Sequence, residues 1–129
     1  MGLVTGEERS FDGVSGSVGL ARSFVCERAE CDPQSNEVLK LVVSELATNA
    51  ILHARSPFTV RVGRNDRVVT VAICDDSPVM PLKKSYGPRA VTGRGLGIVD
   101  KLVQRWGATP NESGKCVWFE MQRHAGATS

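Results

Sequence analysis

One long segment in the first half of the sequence restricts the fold more than any other part. Between Gln34 and Ala54, apolar residues recur at helical spacing and fall on one broad arc of the helix surface. The arc consists of Leu39, Val42, Val43, Leu46, Ala47, Ala50 and Ile51. A helix with one apolar face buries that face against a second layer of structure. The segment therefore predicts a long helix with a buried side and a polar side.

The other periodic segments predict the layer against which this helix packs. Two more helices are predicted over about Ser17 to Glu30 and Gly95 to Trp106. Two β-hairpins are predicted, with strands over about Phe58 to Val62, Val68 to Cys74, Gln104 to Thr109 and Cys116 to Gln122. This order predicts an α+β fold, a two-layer α/β sandwich with three main helices on one face of a mixed, mostly antiparallel sheet. The first few residues and the segment from Ala125 to Ser129 are predicted to be tails.

Length, charge and cysteine spacing narrow the class of protein. The 129 residues, 41% of them hydrophobic, predict one domain over residues 1–129. Lysine and arginine exceed aspartate and glutamate by only 16 to 14 and are scattered, which argues against direct nucleic-acid binding. No apolar leader is visible and no stretch approaches the roughly 18 apolar residues that span a bilayer, so we expect a cytoplasmic protein without membrane contact. Cys74 and Cys116 lie in apolar runs and no C-x-x-C pair occurs, so we expect buried, reduced thiols rather than zinc or disulfides.

The polar side of the long helix carries the first candidate site. Glu45, Asn49 and His53 are four residues apart, which aligns them in one stripe beside the apolar arc. An asparagine amide oxygen can coordinate magnesium alongside phosphate oxygens, and a carboxylate one turn earlier could accept a proton from an attacking hydroxyl. For this stripe alone, a solvated helix face is the commoner explanation.

A second candidate site follows the apolar strand that ends near Cys74. A carboxylate there, Asp75 or Asp76, could accept a hydrogen bond from the exocyclic amine of adenine. The alternation of side chains along the strand places Asp75 on the face predicted to meet the helices and turns Asp76 away. We therefore choose Asp75, although plain turn chemistry is the commoner explanation of Asp-Asp-Ser-Pro taken alone.

A third candidate site is the glycine loop at the start of the last predicted helix, Gly93-Arg94-Gly95-Leu96-Gly97. Unhindered backbone N–H groups and the positive end of a helix favour phosphate at such a position. Ile98 stands where a dinucleotide-binding motif has its sixth-position glycine, and the sequence contains no P-loop. A tight turn with close helix packing explains the glycines equally well. The three segments together predict a pocket for a magnesium nucleotide.

These segments resemble the three ATP boxes of the Bergerat-fold (GHKL) ATPases. The matching stretches are Ser44-Glu45-Leu46-Ala47-Thr48-Asn49-Ala50 with His53-Ala54, Asp75-x-Ser77-Pro78, and Gly93-x-Gly95-Leu96-Gly97-Ile98-Val99. Within that superfamily the chain is most similar to the short anti-sigma-factor serine kinases of bacteria and their actinobacterial histidine-kinase-like relatives. Further similarity lies at Ser10-Phe11 and at Gly114-Lys115-x-Val117-Trp118-Phe119-Glu120.

The resemblance implies roles for the residues in these boxes. ATP would bind with Mg²⁺ on Asn49, adenine on Asp75 and the phosphates near Gly95 and Gly97, while Glu45 would be the catalytic base. The remaining cofactor-binding positions would be His53, Ser77, Gly93, Arg94, Leu96 and Cys116. Cys116 is assigned to the position where the family often has a threonine that joins the adenine network. The loop from Pro78 to Thr92, with Lys83, Lys84 and Arg89, would be a lid.

The resemblance also implies partners. Such a protein sequesters a sigma factor, phosphorylates a serine of a STAS-domain anti-anti-sigma protein, and can form a homodimer. Val79 stands where the second glycine of the Asp-x-Gly-x-Gly box often occurs, and Ser77 replaces the first. Val79 and Cys116 motivate an alternative, a nucleotide-binding partner-switching module that transfers no phosphate.

Overall fold

The long amphipathic segment forms the longer of the two helices in the computed structural model, which describes residues 6–54, 57–77 and 103–123. In chain order, the described elements are strand β1 (Glu7–Phe11), helices α1 (Ser17–Ala29) and α2 (Pro33–Ala54), and strands β2 (Phe58–Arg64), β3 (Val68–Asp75), β4 (Arg105–Pro110) and β5 (Lys115–Gln122). The strands form one sheet in the order β1-β2-β3-β5-β4, and each neighbouring pair is antiparallel. The predicted two-layer α+β fold is confirmed.

The start of α2 is defined by Asp32 and Pro33. The Asp32 carboxylate accepts a hydrogen bond of 2.9 Å from the backbone N–H of Ser35, which satisfies one free donor of the first helical turn. Proline suits the first helical position because its missing N–H would have no helical partner there. The same Asp-Pro pair that separates the two helices in sequence therefore also caps the second one.

The core lies between the two helices and one face of the sheet. Side chains alternate between the two faces of a strand, so every second residue of the inner strands is buried. The buried strand residues include Val60, Val62, Val69, Val71, Ile73, Val117, Phe119 and Met121, and they form one cluster with Val25, Leu39, Val42, Val43 and Leu46 of the helices. Asp75 and Lys115 lie at the ends of this same face, where β3 ends and β5 begins.

Arg123 joins the end of α1 to the sheet. Its guanidinium donates to the carbonyl oxygens of Ala29 at 2.9 Å and Glu30 at 2.8 Å, which are the last residue of α1 and the residue after it. It also donates to the carbonyl oxygen of Asn65 at 2.8 Å in the turn between β2 and β3. One buried side chain thereby satisfies carbonyl groups of two elements that are distant in sequence.

The structure differs from the sequence predictions at three places. Glu7–Phe11, for which no strand was predicted, is strand β1, which pairs with β2 and is supported by a Glu8–Arg61 ion pair of 2.7 Å. The predicted third helix and the predicted strand from Gln104 overlap, and the structure has the strand there, because Arg105 and Trp106 belong to β4. Residues 95–102 of the predicted helix lie outside the described residues. The described strands are all antiparallel rather than mixed.

No helix in the described part of the chain is long and apolar enough to cross a membrane.

Candidate functional site

Asn49 places a polar side chain of α2 in the protein interior. The residue is only 9% exposed, and its neighbours Leu46 and Ala50 belong to the core. Its amide oxygen Oδ1 is fully buried and receives no hydrogen bond from the described residues. A buried acceptor without a donor costs about 1–3 kcal/mol, so an oxygen in this state needs a partner from outside the described residues, and a metal ion is one such partner. An amide oxygen is also a ligand type that Mg²⁺ accepts, and Asn49 therefore fits the metal role that the sequence predicts.

Glu45 and His53 lie one helical turn before and after Asn49. Glu45 is half-buried, whereas His53 is exposed in the last turn of α2. The helix therefore produces the polar stripe expected from the spacing, with its middle residue the most buried of the three. The accessibility of Glu45 allows contact with a substrate hydroxyl, but the catalytic and cofactor-binding roles of both residues stay predictions.

Asp75 ends the buried face of β3 and is paired with a lysine. Asp75 is 6% exposed and Asp76 is exposed, as the alternation along the strand predicts. Lys115 lies directly opposite Asp75 on β5. Its ammonium donates to Oδ1 of Asp75 at 2.9 Å and to Oδ2 at 3.1 Å. The charge of the carboxylate is therefore compensated inside the protein before any ligand binds.

Ser77 and Gly114 complete the surroundings of this pair. The backbone N–H of Ser77 donates to Oδ1 of Asp75 at 2.9 Å, and the carbonyl of Ser77 accepts from Lys115 at 3.4 Å. Gly114 packs against the backbone of Asp75 and Asp76 so closely that a Cβ atom at this position would collide with them. The glycine is required here because it lets the β4–β5 turn approach the end of β3.

Cys116 corrects two sequence predictions. It forms a disulfide with Cys74, its direct neighbour across β3 and β5, so these cysteines are not the reduced thiols that we expected. Cys116 also alternates with the buried residues Lys115 and Val117, which places its side chain on the sheet face away from the helices. It therefore does not lie beside the Asp75 carboxylate, and the predicted role of Cys116 in the adenine network is wrong.

The remaining predicted site residues lie outside the described residues. They are Gly93, Arg94, Gly95, Leu96 and Gly97 of the glycine loop, together with Lys83, Lys84 and Arg89 of the predicted lid. The structure therefore brings together Asp75 and Ser77 of the predicted set, and it aligns Glu45, Asn49 and His53 along α2.

Lys115 is the site residue that sequence reasoning missed. The signal for it is strand parity, because Lys115, Val117 and Phe119 share the face of β5 that meets the helices. A lysine at the end of a buried strand face needs a counter-charge, and Asp75 at the end of the neighbouring strand β3 could supply it. The role in the adenine network was assigned to Cys116 instead, because that assignment came from the family resemblance and not from the alternation of side chains along the strand.

Comparison with known proteins agrees with this architecture. The sequence matches the family described as histidine kinase-like ATPase domain over residues 15–121. The structure is similar to the catalytic domain of histidine kinase ThkA, with a TM-score of 0.57 and 20% identity over 92% of this chain and 97% of that one. It is also similar to the histidine kinase domain of the Erythrobacter litoralis EL346 blue-light activated histidine kinase, with a TM-score of 0.54 and 18% identity over 84% of this chain and 60% of that one. No curated protein sequence matches significantly. At these identities the structural similarity establishes the fold.

Proposed function

This chain belongs to the family of histidine kinase-like ATPase domains, the Bergerat-fold (GHKL) ATPases, and we propose that it is an ATP-dependent serine protein kinase that also acts as an anti-sigma factor. The observation that supports nucleotide binding most directly is the buried Oδ1 atom of Asn49, which has no donor among the described residues. Desolvation of an unpaired acceptor is costly, and coordination of a metal nucleotide would offset that cost.

Two described groups would hold the nucleotide. Asn49 would hold Mg²⁺ through its amide oxygen, and the ion would neutralise charge on the phosphates. Asp75 would accept a hydrogen bond from the exocyclic amine of adenine, because its carboxylate is fixed in position by Ser77 and Lys115. A base-binding group that is already oriented loses less entropy when the ligand binds.

Glu45 is the proposed catalytic base. It is half-buried and precedes Asn49 by one helical turn, so it combines access to solvent with proximity to the proposed metal ligand. Glu45 would accept the proton of a serine hydroxyl as the serine oxygen bonds to the γ-phosphorus and the bond to the β,γ-bridging oxygen breaks, so that ADP leaves. This assignment is supported by helix spacing and by the family resemblance.

The proposed partners follow from the resemblance to short anti-sigma-factor kinases. The serine substrate would belong to a STAS-domain anti-anti-sigma protein. Phosphorylation of that antagonist would free the kinase to sequester a sigma factor. We propose a homodimer, Mg²⁺ dependence and a cytoplasmic location on the same basis. The similarity at Gly114-Lys115-x-Val117-Trp118-Phe119-Glu120 supports this narrower assignment, and it covers the strand that carries Lys115.

Phosphate transfer can be tested with one pair of matched variants. Purified protein is incubated with labelled ATP, Mg²⁺ and a cognate STAS-domain protein, and labelling of that protein is measured. Glu45→Gln should reduce labelling by about a hundredfold or more while ADP binding persists, because removal of a general base leaves the binding groups intact. Glu37→Gln, which changes an exposed glutamate of the same helix, is the control and should leave labelling unchanged. Full activity of Glu45→Gln would disprove the assigned base.

A second candidate function is a nucleotide-binding partner switch without phosphate transfer. The observation that favours it is that Lys115 already compensates the charge of the Asp75 carboxylate without a ligand. Val79, which stands where the family often has a glycine, is a further departure from the motif. ATP and ADP binding by the wild-type protein, with no labelling of the STAS-domain protein at any enzyme concentration, would support this alternative over the kinase.

A further inference from the structure

We propose that Lys115 determines the base preference of the nucleotide site, by leaving Asp75 one free acceptor position that suits the amine of adenine and not the two-donor edge of guanine. This inference rests on the proposed nucleotide-binding function. It assigns a role to a residue that lies in a stretch of family similarity but to which the resemblance gave no role. Lys115 acts on the base through Asp75, and it is therefore a positioning residue.

The pair is enclosed well enough for its geometry to control a ligand. The side chains of Lys115 and Asp75 are only 5% and 3% exposed. They lie opposite one another in the register of β3 and β5, so both backbones are fixed by the sheet. Buried groups of this kind keep their hydrogen-bond partners, because no water is available to replace them.

The bonds to Asp75 leave one acceptor position open. An ionised carboxylate has about four lone-pair sites, two on each oxygen. Oδ1 accepts from the backbone N–H of Ser77 and from Lys115, both at 2.9 Å. Oδ2 accepts from Lys115 at 3.1 Å. Among the described residues nothing else donates to Asp75, so one site on Oδ2 is open to a ligand.

One open site distinguishes the two purines. Adenine presents a single amine at carbon 6, and one of its N–H groups needs one acceptor. Guanine presents the N1–H and the amine at carbon 2 side by side, and this pair needs both oxygens of a carboxylate. Lys115 and Ser77 occupy the positions on Oδ1 that the second guanine donor would use. An unpaired donor in a buried site is costly, so guanine is disfavoured.

Lys115 itself has no spare hydrogen for the base. Its ammonium carries three N–H groups, and its partners in the structure are the two oxygens of Asp75 and, at 3.4 Å, the carbonyl oxygen of Ser77. It therefore does not compete for the acceptor nitrogens of either purine. Lys115 therefore affects the base only by occupying lone pairs of the Asp75 carboxylate.

The ratio of ADP to GDP affinity tests this role, because a residue needed only for folding would change both affinities together. The affinities are measured by calorimetry with Mg²⁺ for the wild type, for Lys115→Met and for Lys115→Thr. Both variants free lone pairs of Asp75, and a folded protein from either one is sufficient for the test. The ratio should fall by about tenfold or more, the size expected for one hydrogen bond to a charged group. Circular dichroism and thermal unfolding verify that each variant is folded.

Two further variants make the result specific. Lys115→Arg keeps the charge and the donors and should retain the wild-type ratio. Lys40→Met removes a lysine that is paired with Glu37 on α2, and it should change neither affinity. An unchanged ratio in the folded Lys115→Met or Lys115→Thr protein would overturn the proposal, as would a Lys115→Arg ratio equal to that of Lys115→Met. Failure of the wild type to bind either nucleotide would instead contradict the proposed function.

Discussion

Lys115 and Cys116 are consecutive residues of β5, and their side chains lie on opposite faces of the sheet. Lys115 faces the helices and pairs with the Asp75 carboxylate, while Cys116 faces away from them and is bonded to Cys74. The two pairs are adjacent in the register of β3 and β5 but lie on opposite faces of the sheet. The proposed base-binding chemistry and the covalent link between the strands are therefore separated by the thickness of the sheet.

The state of the four cysteines can be measured by alkylation. In denaturant without a reductant, two thiols per chain should react, because Cys26 and Cys31 are free and the other two are bonded. After reduction, all four should react. Mass spectrometry of the intact protein gives both counts, and Cys74→Ser should raise the first count to three by freeing Cys116. Four labelled thiols without reductant would contradict the disulfide.

The two free thiols also predict a pH dependence of labelling in the native protein. Burial raises the pKa of the Cys26 thiol and that of the Cys31 thiol above their usual value. The thiolate is the reactive form, so native alkylation at neutral pH should be slower than that of an exposed peptide thiol. The rate should rise with pH into the alkaline range, since a raised pKa shifts ionisation to higher pH.

The residues of the candidate site differ in how far sequence alone could identify them. Sequence alone distinguishes Asp75 from Asp76, because the alternation of side chains between the two faces of one strand is a local property. Lys115 and the cysteine pair require the register between β3 and β5, which joins residues about forty positions apart, and no local pattern encodes that register. Helix spacing placed Asn49 on a polar stripe beside the apolar arc, but its burial and the lack of a donor to its amide oxygen are visible only in three dimensions.

At the scale of elements, the two helices and both hairpins were predictable because each has a strong internal period. Strand β1 was not, because it has only one buried side chain, Phe11, and four exposed residues. Its structure depends on pairing with β2 and on contacts of Phe11 with Phe24 and Phe58, at ring distances of 5.9 and 5.6 Å. Such an edge strand is specified by its partners and not by its own sequence.

Arg123 provides an element-scale prediction about stability. Arg123→Ala removes the donors to the carbonyls of Ala29, Glu30 and Asn65, which would be left partly buried and unsatisfied. We expect a loss of about 2–4 kcal/mol in the free energy of unfolding, measured by urea denaturation. Arg105→Ala is the control, because Arg105 is exposed and its ion pair with Glu120 should contribute about 1 kcal/mol or less. Equal effects of the two variants would show that Arg123 does not hold α1 to the sheet.

At the scale of the whole molecule, the proposed nucleotide site combines residues from the ends of both layers. Asn49 lies toward the end of α2, and Asp75 and Lys115 lie where β3 ends and β5 begins. Polar groups that interrupt the buried face of each layer reduce the stability of the empty protein, and such groups are typical of binding sites. Part of the binding energy of a nucleotide would then compensate for this deficit, and ligand binding should be visible as global stabilisation.

Thermal unfolding measures that stabilisation directly. A ligand at a hundred times its Kd stabilises a protein by about 2.7 kcal/mol, which for a domain of this size corresponds to roughly 8–14 °C in Tm. We expect a shift of this order with ATP and Mg²⁺, and a clearly smaller one with ATP and a chelator, because Asn49 would then have no metal to coordinate. Asn49→Ala should unfold within about 1 kcal/mol of the wild type when no nucleotide is present, since loss of the side chain also removes its unsatisfied oxygen.

The same variant separates a binding role of Asn49 from a structural one. If the asparagine serves the metal nucleotide, Asn49→Ala should abolish the difference between Mg²⁺ and chelator while the protein stays folded. If it serves only the packing of α2, the variant should lose stability without nucleotide and keep the full Mg²⁺-dependent shift. Asn49→Ser, which retains a smaller oxygen ligand, should recover part of the Mg²⁺ dependence because magnesium selects oxygen donors. Retention of the full shift in Asn49→Ala would therefore remove the main structural support for ATP binding at this site.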